Sequence, residues 1–480
     1  MQARESPVTP SEFHVNHGST SKGPLTATPP IIHLPIGSHI FRQYLPRELW
    51  KEIIRDAARV ESEFELCGFD GRCYTFEHPA SYEDDWYRTF QTRLTFNLVS
   101  KSWNELSREY LYQSILVTPS LAGYGFSRLI ERLTSNDLIK FVKRVTIHSS
   151  IANTPKSSTN DVLACFPNLE VVDIQTGDNF RPQVNQVCIT VLHAHFDDWS
   201  AFGTLARLPH LRYLRCTVNN RCPIDSRINL NRLQTLDVQD FNPKYPFYDW
   251  LDVPCLVNLT VDDCYTTKHI ALIHYFLSRI HHLGVNSFMI HPPRNPVPSH
   301  QLRSLTIGQA FGLNWRYLPE AIPLGKIEEM HISMEESVLR RSLPESHFRF
   351  DHCLTNLLSH TTDREKFPKL RCVYTDLAAN TICTAKPEIR GQLRRWLAGM
   401  KERGIKALTY TKVAKYADHK YVPLETIFTA VPNWEYWEPT GIADERLKWD
   451  LLGDAAGRCL GGDRRVEVDN NFRVGFSSQS

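Results

Sequence analysis

The chain has 480 residues, of which 42% are hydrophobic and 22% are charged, and its formal net charge at pH 7 is +2. This composition is that of an ordinary globular protein with room for two or three domains, and so small a net charge gives no general reason to expect nucleic acid as a partner. The twelve cysteines form no Cys-x-x-Cys motif, so a zinc ribbon is disfavoured and we expect reduced cysteines that mostly serve packing.

The N-terminal residues, 1–40, are rich in Pro, Ser, Thr and Gly, and this composition predicts a disordered tail. The sequence contains neither a secretory-type start nor an apolar run of about 18 residues, so a membrane partner is not expected. Together with the reduced cysteines, this favours a cytoplasmic or nuclear protein.

The first predicted element is an amphipathic helix beginning at Pro46, which suits the first helical position because its missing N–H costs nothing there. The apolar residues of this helix are linked by steps of three and four: Leu49, Trp50, Ile53, Ile54, Ala57 and Ala58. A second helix carries a similar stripe: Leu94, Leu98, Val99, Trp103 and Leu106. Two such stripes cannot both face water, so we expect them to pack against each other or against a partner.

The motif residues of these helices occur in a definite order: Leu45-Pro46-x-Glu48-Leu49, Ile53-Ile54, Val99-x-Lys101-x-Trp103 and Leu111-Tyr112. This order resembles the F-box, the small helical module by which proteins bind the Skp adaptor of cullin–RING ubiquitin ligases. Ser100 departs from the family pattern, which often has Cys there. The resemblance implies a set of adaptor-binding residues: Leu45, Pro46, Leu49, Trp50, Ile53, Val99, Trp103 and Leu111.

The gap between the two halves of this motif is much longer than is usual in F-box proteins. Residues 61–90 fill it and are rich in aromatic and acidic side chains, so we expect an inserted surface loop. Interrupted modules of this kind resemble those of mushroom-type fungi. The whole F-box-like module would then span residues 41–118.

Beyond the module, the pattern predicts a strand at 113–118, a helix at 125–133 and a strand at 141–147. A phrase of the form apolar-x-x-Leu-x-x-apolar-x-apolar then recurs. Its leucines at 211, 233 and 256 are 22 and 23 residues apart. A period in the twenties with this phrase resembles leucine-rich repeats, in which stacked copies bury a continuous core.

The repeat array is expected over residues 119–410, followed by a C-terminal cap and frayed tail over 411–480. Two doubled gaps in the period predict degenerate copies near 187–192 and 282–288, and helical returns are expected after several strands. The Asn or Cys that normally ends the family phrase is mostly missing, occurring only as Asn219 and Cys264. The predicted fold class is therefore α/β: a small helical F-box-like module followed by an irregular leucine-rich-repeat-like solenoid, with an irregular α/β domain as the alternative.

Few residues suggest chemistry of their own. His193 and His195 would share one face of a strand and, with Asp197 and Asp198, could begin a metal site, but one short run does not supply the further ligands. Two basic groups, Lys140 with Lys143 and Arg144, and Arg394 with Arg395, lack the interleaved aromatics of a nucleic-acid site and favour solvated faces. We therefore expect no enzymatic activity, no metal and no cofactor.

The order of the two parts resembles the substrate-recognition subunits of SCF-type ubiquitin ligases. It implies the Skp adaptor and the cullin–RING core as partners, with an unknown protein substrate on the array and no nucleic acid. One alternative is a repeat scaffold that binds a partner without ligase recruitment. A remote alternative is a metal-dependent hydrolase.

Overall fold

The computed structural model divides the chain into two compact units, Met1–Trp50 and Lys51–Ser480. Only part of each is described by the structure. The described residues are 46–58, 80–117, 124–147, 159–174, 180–182, 186–196, 199–220, 227–243, 247–261, 267–285, 301–308, 318, 322–332, 359–375, 387–411 and 420–425.

Helices occupy the N-terminal part of the described chain and recur between strands. They are α1 Arg47–Ala58, α2 Ala80–Val99, α3 Lys101–Tyr112, α4 Tyr124–Ser135, α5 Thr159–Ala164, α6 Trp199–Gly203, α7 Thr267–Phe276 and α8 Pro387–Glu402. Short 3-10 turns occupy Ile139–Phe141, Thr204–Arg207, Phe247–Trp250 and Leu324–Lys326.

The strands are mostly four residues long and follow one another at repeat spacing. They are β1 Ser114–Val117, β2 Arg144–Ile147, β3 Val171–Ile174, β4 Val191–Phe196, β5 Tyr213–Asn220, β6 Ile228–Asn229, β7 Thr235–Pro243, β8 Leu251–Asp252, β9 Asn258–Val261, β10 His282–Val285, β11 Ser304–Ile307, β12 Glu329–Ile332, β13 Cys372–Thr375, β14 Lys406–Thr411 and β15 Lys420–Pro423.

Within the described residues, thirteen of these strands form one sheet in the order β1-β2-β3-β4-β5-β7-β9-β10-β11-β12-β13-β14-β15. Neighbours are parallel throughout, except that β15 pairs antiparallel with β14. The short strands β6 and β8 pair in a separate parallel sheet. Sequence order and sheet order agree because each repeat contributes one strand of the large sheet and then returns.

The register aligns the second and fourth residues of successive strands, and these residues form the core. Leu236 pairs with Leu214 on one side and with Leu259 on the other, and all three are fully buried. All six phrase leucines are buried as predicted, but only Leu214, Leu236 and Leu259 lie in the parallel strands. Leu211, Leu233 and Leu256 lie in the turns that precede those strands.

The repeated phrase contains a turn that leads into each strand. The N–H of Leu211 donates to the carbonyl of Leu208 at 3.2 Å, and the N–H of Leu233 donates to that of Leu230 at 3.1 Å. Such an i to i+3 bond leaves the two central residues of the turn facing water. The spacing apolar-x-x-Leu therefore reports a turn whose two ends are both anchored in the core.

The degenerate copies predicted near 187–192 and 282–288 are confirmed as strands. Strand β4 pairs with β5, and strand β10 pairs with β11, in the large sheet. The predicted helical returns are confirmed as α6, α7 and α8. Gly404 ends the last of these with a φ of +71°, a conformation that glycine adopts without strain.

Three predicted features needed correction. The strand at the end of the predicted module, β1, pairs with β2, so it belongs to the sheet of the array. Helix α2 begins at Ala80, so the loop prediction is wrong for residues 80–90, while 61–79 lie outside the described residues. The predicted cap shows β15 at its start, whereas the predicted tails at 1–40 and beyond 425 lie outside the described residues.

The predicted packing role of cysteines holds for part of the set. In the described chain Cys216 and Cys372 are buried, and burial raises the pKa of both thiols. Cys165, Cys188 and Cys255 are exposed instead. A search of the described helices finds none with the length and apolar character needed to cross a bilayer.

Replacing Leu236 by Ala should lower the free energy of unfolding by about 2–5 kcal/mol, because its side chain is fully buried between two neighbouring leucines. Denaturant unfolding followed by circular dichroism measures the change. Val257→Ala is the matched control, since Val257 is 36% exposed, and it should cost less than about 0.5 kcal/mol. Equal losses in the two variants would contradict the assigned core.

Replacing Gly284 by Ala should destabilise the sheet by about 1–3 kcal/mol, because the added methyl group would lie 2.9 Å from Thr260 Oγ1 on the neighbouring strand. A second change, Thr260→Ala, removes the obstructing atoms and should restore most of the lost stability. Gly325→Ala is the control, since no atom lies within 4 Å of its added carbon. Additive losses in the double variant would argue against this contact.

Candidate functional site

Helices α1, α2 and α3 share a buried seam within the second unit. Ile54 and Ala58 of α1 are buried, as are Leu106 and Tyr110 of α3. Buried Arg93 of α2 donates its Nε–H to the carbonyl of Ala58 at 2.8 Å, which satisfies a carbonyl at the end of α1. The helices therefore form a packed module.

Ser100 joins α2 to α3 and explains the departure from the family pattern at this position. Its hydroxyl accepts a hydrogen bond from the N–H of Trp103 at 3.2 Å, which caps the first turn of α3. The rings of Phe96 and Trp103 lie 5.5 Å apart across the junction, and Asn104 Nδ2 donates to the carbonyl of Asn97 at 3.2 Å. These contacts fix the angle at which α3 leaves α2.

The apolar stripes of the sequence divide into buried and exposed residues. Leu98 is 77% exposed, Val99 57%, Ile53 46% and Leu94 36%. In the first unit, Leu49 is 43% exposed. Leu98 and Val99 lie at the end of α2, Leu94 lies one turn earlier, and Ile53 lies in the middle of α1.

The implied adaptor-binding residues occupy different positions in this module. Pro46 is exposed and immediately precedes α1, and its carbonyl accepts the N–H of Trp50 at 3.2 Å, so it caps the helix instead of occupying its first position. Trp50, Trp103 and Leu111 are half-buried. Leu45 lies outside the described residues.

A polar region lies on the face of the large sheet opposite the core. It is formed by the first and third residues of each strand. We call this the polar face. Its charged residues are Arg144, Asp173, His193, Arg215 and Asp237. Strand alternation places them on this face, since their sequence neighbours point into the core.

The charges of the polar face are paired with one another. Asp173 accepts a hydrogen bond from His193 Nδ1 at 2.8 Å and lies 3.5 Å from Arg144 Nη2. Asp237 lies 2.5 Å from Arg215 Nε, and the hydroxyl of Tyr213 donates to it at 3.3 Å. The solvated face predicted for Arg144 was therefore wrong, because its side chain is only 2% exposed.

These partners decide the protonation of Asp173. Burial alone would raise its pKa, but the hydrogen bond from His193 and the positive charges of His193, Arg144 and Arg215 hold the pKa well below its usual range. Asp173 is therefore ionised at neutral pH. Removing any one partner would leave a buried charge without compensation, so the cluster is a structural element of the sheet.

A histidine cluster follows further along the polar face. His282 Nδ1 lies 2.9 Å from Ser304 Oγ, and its Nε2 lies 3.2 Å from Thr306 Oγ1. The ring of His331 lies 6.3 Å from that of His282 and stacks on Tyr374 at 4.4 Å. Burial and the neighbouring His331 lower the pKa of His282 well below its usual value, so the ring is neutral at pH 7.

His193 and His195 share the polar face of β4, as the sequence predicted. His193 is occupied by Asp173, however, and within the described residues no group of three or more His, Cys, Asp or Glu side chains is placed to hold a metal ion. Asp197 and Asp198 lie outside the described residues. The described chain therefore supplies no assembled metal site for the hydrolase alternative.

Sequence reasoning missed the ion pairs of the polar face. The signal was present, because Asp173 is the one charge in an otherwise apolar strand and Asp237 occupies the same third position of β7. A charge at that position in one strand and an opposite charge in the next predicts a cross-strand pair.

Comparison with known proteins adds little to this geometry. No known family model and no curated protein matches the chain. Among solved structures, a chain in the crystal structure of a TLR13–ssRNA13 complex is similar, with 15% sequence identity and a TM-score of 0.23. The match covers 61% of this chain and 36% of that chain.

So low a similarity carries no argument about function. The class of the protein follows from its own topology, in which consecutive repeats each add one parallel strand to a single sheet. The chain from β1 to β14 accordingly has a leucine-rich-repeat-like solenoid fold.

Replacing His282 by Gln should make stability less sensitive to acid between pH 7 and pH 5. A histidine whose folded pKa is lowered contributes stability that is complete above its unfolded pKa of about 6.5 and is lost as pH falls toward the folded value, because the unfolded chain takes up the proton first. The wild type should lose up to about 1.4 kcal/mol per pH unit through this group.

Denaturant unfolding at several pH values measures this difference. The matched control is His281→Gln, which changes an exposed ring on the adjacent residue and should leave the wild-type pH dependence in place. If the free energy of unfolding of His282→Gln falls with decreasing pH as steeply as that of the wild type, the buried ring is not the group that responds to acid.

Proposed function

We propose that the protein is the substrate-recognition subunit of an SCF-type cullin–RING ubiquitin ligase. In this proposal the helical module binds the Skp adaptor, and the repeat array holds a protein substrate. The observation that carries it is the exposure of the motif residues Val99 and Ile53 on helices that also bury Ile54, Ala58 and Leu106. Exposed apolar side chains at these motif positions are what an adaptor interface requires.

The adaptor-binding set of the proposal is the one implied by the motif. Leu49, Ile53 and Val99 are exposed and would contact the adaptor directly, as would Pro46. Trp50, Trp103 and Leu111 are half-buried and would also support the fold, so their replacement should affect both stability and binding. Leu45 completes the set by its place in the motif.

A subunit of this kind performs no chemistry itself. By holding a substrate and the ligase core on one chain, it raises the local concentration of the substrate at the ubiquitin-conjugating enzyme. The rigid, fully packed sheet suits that task, because its core leaves little freedom between successive repeats.

A second candidate is a repeat scaffold that binds its partner without recruiting a ligase. It is favoured by the regular pairing of the solenoid strands, whose buried residues form one continuous core in the described part of the array. Co-purification with the adaptor separates the two proposals. Metal analysis of the purified protein tests the hydrolase alternative.

Replacing Val99 by Lys should abolish co-purification with the adaptor while leaving the melting temperature unchanged. Val99 is 57% exposed and ends α2, where a positive charge is compatible with the helix dipole, so the fold loses little. In a desolvated apolar interface, by contrast, an unpaired ammonium group typically costs more than about 2 kcal/mol of binding.

The matched control is Val187→Lys, a change of the same kind at a valine of the repeat array that is 44% exposed. It should retain adaptor binding. If wild-type protein co-expressed with the adaptor from its own source yields no complex at micromolar concentration, the ligase proposal fails. Loss of the complex in both variants would show that the effect is not local to α2.

A further inference from the structure

From β5 to β13, one edge of the large sheet presents the same two positions of successive repeats. These are the third and the first residue before each of those seven strands of the large sheet, and we call this set the turn edge. The N–H of Arg303 donates to the carbonyl of His281 at 2.8 Å, and the N–H of Glu328 donates to that of Arg303 at 2.7 Å. Residues that precede neighbouring strands therefore lie side by side, about 4.8 Å apart.

From β5 to β13 every position of the turn edge is described, and its composition is strongly basic. All of its side chains are exposed except the half-buried Glu328. Seven are Arg or Lys, two are His and one is acidic: His210, Arg212, Arg232, Gln234, Cys255, Val257, Arg279, His281, Gln301, Arg303, Lys326, Glu328, Lys369 and Arg371. In a chain with a net charge of only +2, this is a local concentration of positive charge.

The turn edge contains one acidic residue against seven Arg and Lys residues. Glu328 lies 3.8 Å from Arg371, but the side chain of Arg371 is still 79% exposed. Arg232 Nη1 lies 2.8 Å from His210 Nδ1, so a cation contacts an imidazole there and not a carboxylate. Charges of one sign in line along an edge produce a positive potential that attracts an anionic partner.

The other residues of the turn edge favour a protein partner. None of its positions is aromatic, so it offers no platform for stacking nucleic-acid bases. Its basic residues are interrupted at β9 by Cys255 and Val257, and Val257 is an apolar side chain that is 36% exposed. A segment with carboxylates and intervening apolar side chains matches both features.

We propose that the turn edge binds an extended acidic segment of a protein partner, with carboxylates facing Arg212, Arg303 and their neighbours and an apolar side chain against Val257. The inference rests on the proposed function in one respect: the partner is the ligase substrate only if the adaptor is also bound. On the polar face, Arg144 pairs with Asp173 and Arg215 pairs with Asp237, whereas Arg212 and Arg303 of the turn edge are exposed to solvent.

The test uses the full chain and a fluorescent synthetic peptide of alternating Glu and Leu. A length of about twelve residues spans the strands from β5 to β13. Binding is measured by fluorescence anisotropy at low and at physiological salt. The double variant Arg212→Glu/Arg303→Glu should bind about tenfold more weakly, since two favourable charge contacts become repulsive, and binding should weaken with salt.

The matched control is Arg132→Glu/Arg395→Glu, which reverses two exposed arginines on helices α4 and α8 and changes the net charge equally. It should bind the peptide within twofold of wild type, and both variants should keep the wild-type melting temperature. An oligouridine of similar length serves as a second probe and should bind more weakly than the peptide.

Three results would overturn the proposal: no peptide binding by the wild type at low salt, equal weakening in both double variants, or tighter binding of the oligouridine at the same edge. Adaptor co-purification is measured on the same proteins. Peptide binding without adaptor binding would support the proposal for the turn edge and contradict the ligase function. Adaptor binding without peptide binding would support the ligase function and contradict the proposal for the turn edge.

Discussion

Parallel pairing of short strands is the constraint on which the rest of the solenoid depends. A four-residue strand such as Asn258–Val261 cannot bury Leu259 and Val261 by itself, and it does so only when the strands on both sides present the same two positions. The turn before each strand and the helix after it then follow, because the chain must return to the same edge of the sheet to begin the next strand at the correct register.

The same alternation that forms the core creates the polar face. Residues such as Asp173 and Asp237 cannot point inward, and on their own face they are buried against neighbouring strands. Their pairing with Arg144, His193 and Arg215 offsets the cost of that burial. Charge on this face is thus used to hold strands in register, whereas the turn edge keeps its charge available to solvent.

The helical module follows different physics. Three helices of modest length enclose one seam, occupied by Ile54, Ala58, Leu106 and Tyr110, and cannot cover every apolar residue of an amphipathic pattern. Leu98 and Val99 remain outside. The adaptor role proposed for the module would cover these two side chains.

The sequence by itself determined most strands of the large sheet, including the degenerate copies β4 and β10, because alternation and the turn that precedes it are properties of neighbouring residues. It also predicted most of the helices and the F-box-like motif, but not α5, β6, β8 or β15. Tertiary structure alone decided that α2 begins at Ala80, that Leu106 is buried while Leu98 is exposed, and that Arg144 pairs with Asp173. Those outcomes depend on contacts between residues far apart in the chain. Local periodicity cannot predict them, because it does not show which face of a helix or strand another element will cover.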